Sequence, residues 1–508
     1  MMNPNDNKLR AREVLERVFG IDRRSLAALR IGVGSAVLVD LLTRAQDLEA
    51  HYTDFGVLPR YALLDKFANP AHLSLHLVTG SWEGQATLFL VNAVIAVALV
   101  LGYRTRLASV LTWVFLVSLQ NRNPVVLNAG DFALRMIAFW GIFLPWGRYF
   151  SLDAVRFDHL PPDLARKELS LATAACLLQV GMIYVFTVLL KTGDEWRVDG
   201  TAVYFAMSLD QFQLPAARFL LQFPTLMRWL TFATFWLEAL VPLSLFLPWA
   251  TGRWRVVGVL MLWTMHAMFS LHLRVGTFSV VCMVALVAFV PPEMWDFLDR
   301  RLPLSRVANV WSRLAGRLRL RHATELPTAP WLRRFDGTVV LAALMFVLFW
   351  NVSTLDSKPV RVPASLETVA HTLRLDQKWG MFAPFPIRDD GWYVLPGRLF
   401  SHAYTGAVVD IWRNGAPVDY QKPKWATDLY PTFRWRKYMR RLWMLEYKEH
   451  RLYFGKYICR HWNREHEGVD KLESFEILYM KENTLDDGEA PPVPVKIWSH
   501  WCYKNSVS

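Results

Sequence analysis

The sequence predicts a mostly α-helical bundle that crosses a membrane about nine times, followed by a mixed α/β domain outside it. Three observations carry this reading. Apolar runs near the length that spans roughly 30 Å of hydrocarbon recur from residue 25 to residue 352. Of the 508 residues, 53% are hydrophobic and only 20% charged, with mean hydropathy +0.18, whereas soluble domains carry about 25% charge. From residue 356 the chain becomes polar and rich in Trp and Tyr over a length sufficient for a domain. The composition excludes a disordered chain, and four cysteines exclude a disulfide framework.

Residues 1–24 form a basic head, with Lys8, Arg10, Arg12, Arg17, Arg23 and Arg24. The first apolar run is not followed by a small-residue cleavage site, so no cleaved signal peptide is expected. Spans are read at 25–43, 85–101, 107–120, 131–147, 169–190, 226–248, 255–273, 275–290 and 338–352. Two less apolar loops, 51–84 and 191–224, contain amphipathic pieces at 61–67 and 202–209 that suit an interfacial or re-entrant position. Domain boundaries follow: a head (1–24), a membrane domain (25–292), a basic linker (293–335), a last span (336–352) and an outer domain (353–508).

Arg and Lys fall in alternate loops: Arg104 and Arg106; Arg148, Arg156, Arg166 and Lys167; Arg253 and Arg255; then Arg300, Arg301, Arg306, Arg313, Arg317, Arg319 and Arg321. The positive-inside rule makes that side cytoplasmic. It places the N-terminus inside, the C-terminal domain outside, and the chain in a bacterial inner membrane. The net charge of +13 therefore reports topology and does not call for nucleic acid. In the tail, 391–400, 407–412 and 475–480 read as strands, Asn414-Gly415 as a turn and 433–449 as a basic helix. Cys459 and Cys502 share this domain, as a disulfide or as two free thiols; Cys176 and Cys282 are packing residues of spans.

Ionisable residues at the outer ends of spans are the chemical candidates, because charge is costly in lipid. Lys191 reads either as an amine snorkelling to the interface or as a partly desolvated base. Asp131 and Arg135, four apart, share a helix face and suggest an intrahelical ion pair. The amide-dense run 121–130, including Asn128, offers hydrogen bonds to a substrate. His266 and His272 stand about 120° apart on a helix, which disfavours a metal pair. Glu238 and Arg30, both inside spans, suggest a mutual or packing ion pair. His72 and His76 have i, i+4 spacing without a third ligand, so no metal site is read. No Gly-rich phosphate loop, Cys-x-x-Cys pair or Gly-x-Ser-x-Gly elbow occurs.

Several runs resemble a known family. Tyr184-Val-Phe-Thr-Val-Leu-Leu-Lys191-Thr-Gly-Asp-Glu-Trp196-Arg-Val-Asp-Gly200 resembles the catalytic-lysine segment of vitamin K-dependent gamma-carboxylase. His266-Ala-Met-Phe-Ser, Gly276-Thr-Phe-Ser and Pro292-Glu-Met-Trp295 resemble a second stretch, and Trp146-Gly-Arg-Tyr-Phe-Ser151-Leu-Asp153 a third. Together they resemble the horizontally transferred transmembrane (HTTM) family over about residues 17–292. The tail motif Gln377-Lys-Trp-Gly-Met-Phe-Ala-Pro-Phe-Pro is similar to that of bacterial members. The resemblance implies Lys191 as a base toward a reduced quinone of the vitamin K type, which reacts with oxygen to give a strong base. That base takes a proton from a glutamyl side chain of an exported protein, and the carbanion takes up carbon dioxide. It also makes His266, Asn128 and Asp131 further catalytic candidates, and Trp196, His272 and Arg274 cofactor-binding candidates. One departure stands out: the Asn-His pair of the carboxylase is replaced here by Leu127-Asn128-Ala-Gly130-Asp131. Two functions are carried forward. One is a carboxylase-like (lyase or ligase) membrane enzyme. The other is a non-catalytic factor that binds or matures an exported protein through its C-terminal domain.

Overall fold

The computed structural model describes residues 4–69, 71–157, 167–302, 304–318, 320, 329–402, 407–485 and 488–503. Arg166, Arg319 and Arg321 of the basic loops lie outside them. The longer helices are α1 (Pro4–Phe19), α2 (Arg23–Ala45), α3 (Trp82–Leu101), α4 (Thr105–Arg122), α5 (Ala129–Gly141), α6 (Leu171–Leu190), α7 (Pro224–Ser244), α8 (Thr251–His272), α9 (Phe278–Leu286), α10 (Pro292–Arg301), α11 (Leu304–Arg317) and α12 (Pro330–Ser353). Their ends are written locally. Asp22 caps α2 through the Arg24 amide (2.7 Å), Ser81 caps α3 through Gly84, and Ser170 with Thr173 closes a capping box on α6. Gly102, at φ +65°, ends α3 in the left-handed conformation that favours glycine.

Each of the nine predicted spans coincides with a helix. Among the described residues, five of these are long and apolar enough to cross a membrane: α2, α3, α6, α8 and α12. A sixth crossing follows if Phe278–Phe289 and α10, bent by 100° at Pro291-Pro292, count as one. The expected span 131–147 is shorter than its apolar run. Its helix stops at Gly141, whose missing Cβ is the space filled by the Trp146 indole, and Pro145 prevents continuation. The basic loops do gather at one end of the bundle. Arg23 and Arg148 share Glu168, Arg24 meets Asp296 (2.7 Å), and Arg106 meets Asp336 (2.8 Å).

At the other end sits the C-terminal domain. It comprises α13 (Ala364–Leu373), α14 (Phe433–Trp443), α15 (His450–Glu465) and an antiparallel sheet of β1 (Asp389–Val394), β2 (Pro396–Leu399), β3 (Val409–Asp410), β4 (Ala416–Pro417), β5 (Leu472–Leu485), β6 (Gly488–Glu489) and β7 (Val493–Trp501). The order is β1-β5-β2-β3-β4, with β6 and β7 also pairing with β5. Asn414-Gly415 closes the short loop 411–415 between β3 and β4, with both residues at positive φ, 52° and 81°. The helix read at 433–449 ends instead at Trp443, and a second helix, α15, follows. Cys459 on α15 is bonded to Cys502 after β7, while Cys176 and Cys282 are free and buried. The domain does not close its core alone. Trp435, Tyr438 and Phe454 pack in one cluster with Val57, Leu58, Val125 and Val126 from the loops of the membrane domain.

Candidate functional site

Lys191 stands at the C-terminal end of α6, where a snorkelling lysine would reach water, yet it is only 3% exposed. Its ammonium is paired with Glu238 of α7 and lies 4.0 Å from the centre of the Trp196 ring. Of the alternatives the sequence left open, the structure selects the buried amine over the snorkelling one, and a packing ion pair of Glu238 with Lys191 over a mutual pair with Arg30. Arg30 donates to the backbone carbonyls of Val100, Trp146 and Phe150, which cap helix and turn ends that lipid leaves unsatisfied. Carboxylate, ammonium and indole thus form a compact, net-neutral group, and an aromatic face stabilises positive charge held over it.

The Trp196 indole also lines a cavity of about 270 Å³ together with Arg197, Phe232, Phe235 and Trp236. Phe235 is one helical turn from Glu238 on α7, and Trp236 is 55% exposed, so the cavity meets the outer surface of that helix. Arg197 closes the end of α6 by donating to the Lys191 carbonyl (2.9 Å). Two helical turns before Lys191, the Tyr184 hydroxyl is hydrogen-bonded to His266 Nε2 (2.8 Å), and the buried His266 Nδ1 has no hydrogen-bond partner among the described residues. Tyr184 and Lys191 therefore share a face of α6, with His266 of α8 beside the deeper one.

A strap from the tail holds this group in place. Gln377 is buried among the helices, where its side-chain carbonyl accepts from Gln179 (2.8 Å) and from Trp379 (3.1 Å), and its backbone carbonyl accepts from Trp350 (3.0 Å). A few residues on, the Phe382 carbonyl accepts from Trp196 (2.8 Å) and that of Pro384 from the Gly193 amide (3.1 Å). The tail motif and the lysine segment are thus one physical unit. Their shared place in the family resemblance was the only signal that linked residues so far apart in the chain.

The other candidates lie elsewhere. Asp131 and Arg135 do not pair with each other. Asp131 accepts from Arg44 (2.5 Å) and from Arg434 of α14 (2.5 and 2.8 Å), while Arg135 donates to Gln120 and to the Asp376 carbonyl (2.6 Å). Asp40 completes a buried cluster through Arg44 (2.7 Å) and Arg434 (2.6 Å), two acids and two bases at the seam of the domains. Asn128 uses its side-chain oxygen to cap α5 at Gly130 and Asp131, and Asn121 and Asn123 likewise bond backbone groups. This amide-dense run is scaffolding, because a loop packed under a second domain must satisfy its own backbone. His272 donates to the Met268 carbonyl of its own helix (2.8 Å), and Arg274 reaches across the seam to that of Thr427 (2.8 Å); neither lines the cavity. His76 and His72 bond Gln85 and the Asn121 carbonyl. Among the described residues one group of acids has metal-like spacing, Asp210, Glu482 and Glu489, and the Lys422 ammonium lies within 2.5–2.9 Å of all three. That lysine supplies the positive charge a cation would bring.

These features define an integral membrane protein whose buried lysine–carboxylate pair packs on a tryptophan that lines an aromatic cavity near the end of a helix. The HTTM domain family matches residues 20–295, and the chain belongs to that family. It is also 25% identical over 210 residues to the uncharacterized protein YitO of Bacillus subtilis (strain 168), a match that covers 39% of this chain and 64% of that protein. The chain thus spans less than two thirds of this relative. No solved structure matches.

Proposed function

We propose that the chain is a carboxylase-like membrane enzyme in which the Lys191–Glu238 pair handles a proton for a lipid-soluble co-reactant, with an acidic side chain of an exported protein as the target. The observation that supports this most is the coincidence of a dry ion pair with an aromatic cavity reaching the exposed side of α7. The lining fits a quinone: Trp196, Phe232, Phe235 and Trp236 suit a flat apolar ring, and Arg197 provides a polar edge. When bound, a reduced quinone supplies the electrons for oxygen activation. The chain's own residues account for the rest. A proton arriving at the pair is taken up by the Glu238 carboxylate, which leaves the Lys191 ammonium as one positive charge beside the Trp196 ring, where the ring face offsets part of its desolvation. The strap from Gln377 to Pro384 excludes water and fixes the lysine segment. Tyr184 and His266 form a second proton-bearing pair deeper in the bundle, and Asn128 and Asp131 hold the seam.

In this reading the helices α4, α5 and α7 and the bent α9 region cross the membrane as well, giving nine crossings. The N-terminus is then cytoplasmic and the C-terminal domain lies outside a bacterial inner membrane. The test compares exported proteins by mass spectrometry from cells carrying the wild type or Lys191→Ala at matched membrane levels. Loss of an added carboxylate in the variant supports the reading, and identical modification in both refutes it. The alternative, a non-catalytic factor acting through residues 353–508, draws on the four-charge cluster that fixes this domain to the bundle. It predicts that Lys191→Ala keeps function while deletion of the domain abolishes it.

A further inference from the structure

At the basic end of the bundle, opposite the Lys191 site, the end of α1 meets the beginnings of two span-capable helices, α6 and α8. Arg17 lies in the last turn of α1, Lys167 just before α6, and Arg253 in the first turn of α8. Their ends enclose a cavity of about 780 Å³ lined by these three cations, by Glu293 and, one turn deeper on α8, by Val256 and Val257. Neither Lys167 nor Arg253 makes a salt bridge among the described residues, and Glu293, packed against Gly252, is the one carboxylate on the lining. Arg17 is 3.8 Å from Glu13, so Lys167 and Arg253 against Glu293 leave the cavity a net charge of about +1, with cations at the level where spans leave the hydrocarbon.

The wall below is apolar and unpacked. Val257 is 50% exposed, Leu260, Met261 and Leu271 continue the exposed stripe along α8, and Leu171 is exposed at the start of α6. Trp249 and Trp254, neighbours in sequence of the lining residues Pro248 and Arg253, are both exposed, as rings at a membrane interface are. A free anion would use the cations alone. A molecule with an anionic head and apolar tails uses cations, tryptophans and stripe together.

We propose that this cavity is a binding site for the phosphate headgroup of an anionic phospholipid, whose acyl chains run along α8. Lys167 and Arg253 hold the phosphate, Arg17 closes over it from α1, and Glu293 sets which face of the cavity stays free.

The test uses the purified full-length protein and native mass spectrometry with phosphatidylglycerol or phosphatidylcholine of identical acyl chains. The wild type should retain phosphatidylglycerol in preference. The double variant Lys167→Gln/Arg253→Gln should bind phosphatidylglycerol about thirtyfold more weakly, since each of the two basic residues near an anionic surface contributes about 1 kcal/mol, while phosphatidylcholine binding is unaffected. Lys167→Arg/Arg253→Lys should restore phosphatidylglycerol binding. Equal retention of the two lipids by the wild type, or undiminished phosphatidylglycerol in the Gln variant, overturns the proposal. A readout independent of variant folding is the thermal stabilisation of the wild type, expected to be larger with phosphatidylglycerol than with phosphatidylcholine. Inorganic phosphate giving the same stabilisation overturns the lipid assignment and leaves a phosphate site.

Discussion

Replacing Arg434 by Met should loosen the C-terminal domain from the bundle far more than an average substitution does. The Arg434 side chain makes four hydrogen bonds in a buried setting: to Asp131 at 2.5 and 2.8 Å, to Asp40 at 2.6 Å and to the Val126 carbonyl at 2.9 Å. Without it, two buried carboxylates face Arg44 alone, and breaking a buried ion pair from one side costs about 3–5 kcal/mol. Met keeps most of the side-chain volume, so the loss is electrostatic and not a cavity. The assay is chemical unfolding in mild detergent followed by tryptophan fluorescence, with limited proteolysis of residues 356–363 reporting release of the domain. Adding Asp131→Asn removes the stranded charge while keeping an oxygen for the Asn128 amide (2.7 Å). The double variant should recover about 1–3 kcal/mol relative to additivity. A loss below about 1 kcal/mol in Arg434→Met, or strict additivity in the pair, would refute the view that this cluster joins the two domains.

The other expectations concern the same domain and the strap. Cys459 and Cys502 close a loop of sequence separation 43, so Cys459→Ser should destabilise the domain by about 4 kcal/mol on the chain-entropy account, measured by unfolding with and without reductant. Asp390 is pushed up to about 7 by burial and by the neighbouring Asp210, against the Gly391 amide, Arg440 and Gln211. A carboxyl whose folded value is raised holds its proton longer in the folded state. Stability should therefore fall as pH rises from about 4 toward 7, by up to about 1.4 kcal/mol per unit. Asp390→Asn should flatten that slope, and an unchanged pH profile would contradict it. Gln377→Ala leaves the Trp379 and Gln179 side chains without their acceptor, at about 1–3 kcal/mol, and should speed hydrogen exchange at the Gly193 amide. Exchange confined to the strap itself would deny the coupling.

Apolar runs made the positions of the bundle helices readable, because burial in lipid leaves little freedom in composition. Lys191, Trp196 and the tail motif were also visible. Their partners were not, since Glu238 lies 47 residues from Lys191 and Gln377 lies 198 residues from Gln179, and local spacing carries no information about such contacts. The i, i+4 rule failed at Asp131 and Arg135 for a related reason. It counts a shared helix face but cannot see that Arg44 and Arg434 offer Asp131 better geometry from two other elements. The C-terminal domain was the least legible, with its second helix missed, because its aromatic and basic residues serve a core completed by loops of the bundle.

The pair itself is tested most directly by Lys191→Met/Glu238→Leu, which removes both charges together. Apolar replacement of a whole buried ion pair is often neutral or stabilising, so unfolding should occur at or above the wild-type midpoint. Modification of exported proteins, followed by mass spectrometry at matched membrane levels, should nevertheless disappear. A folded double variant that still modifies its targets would show that the lysine and glutamate only pack the bundle.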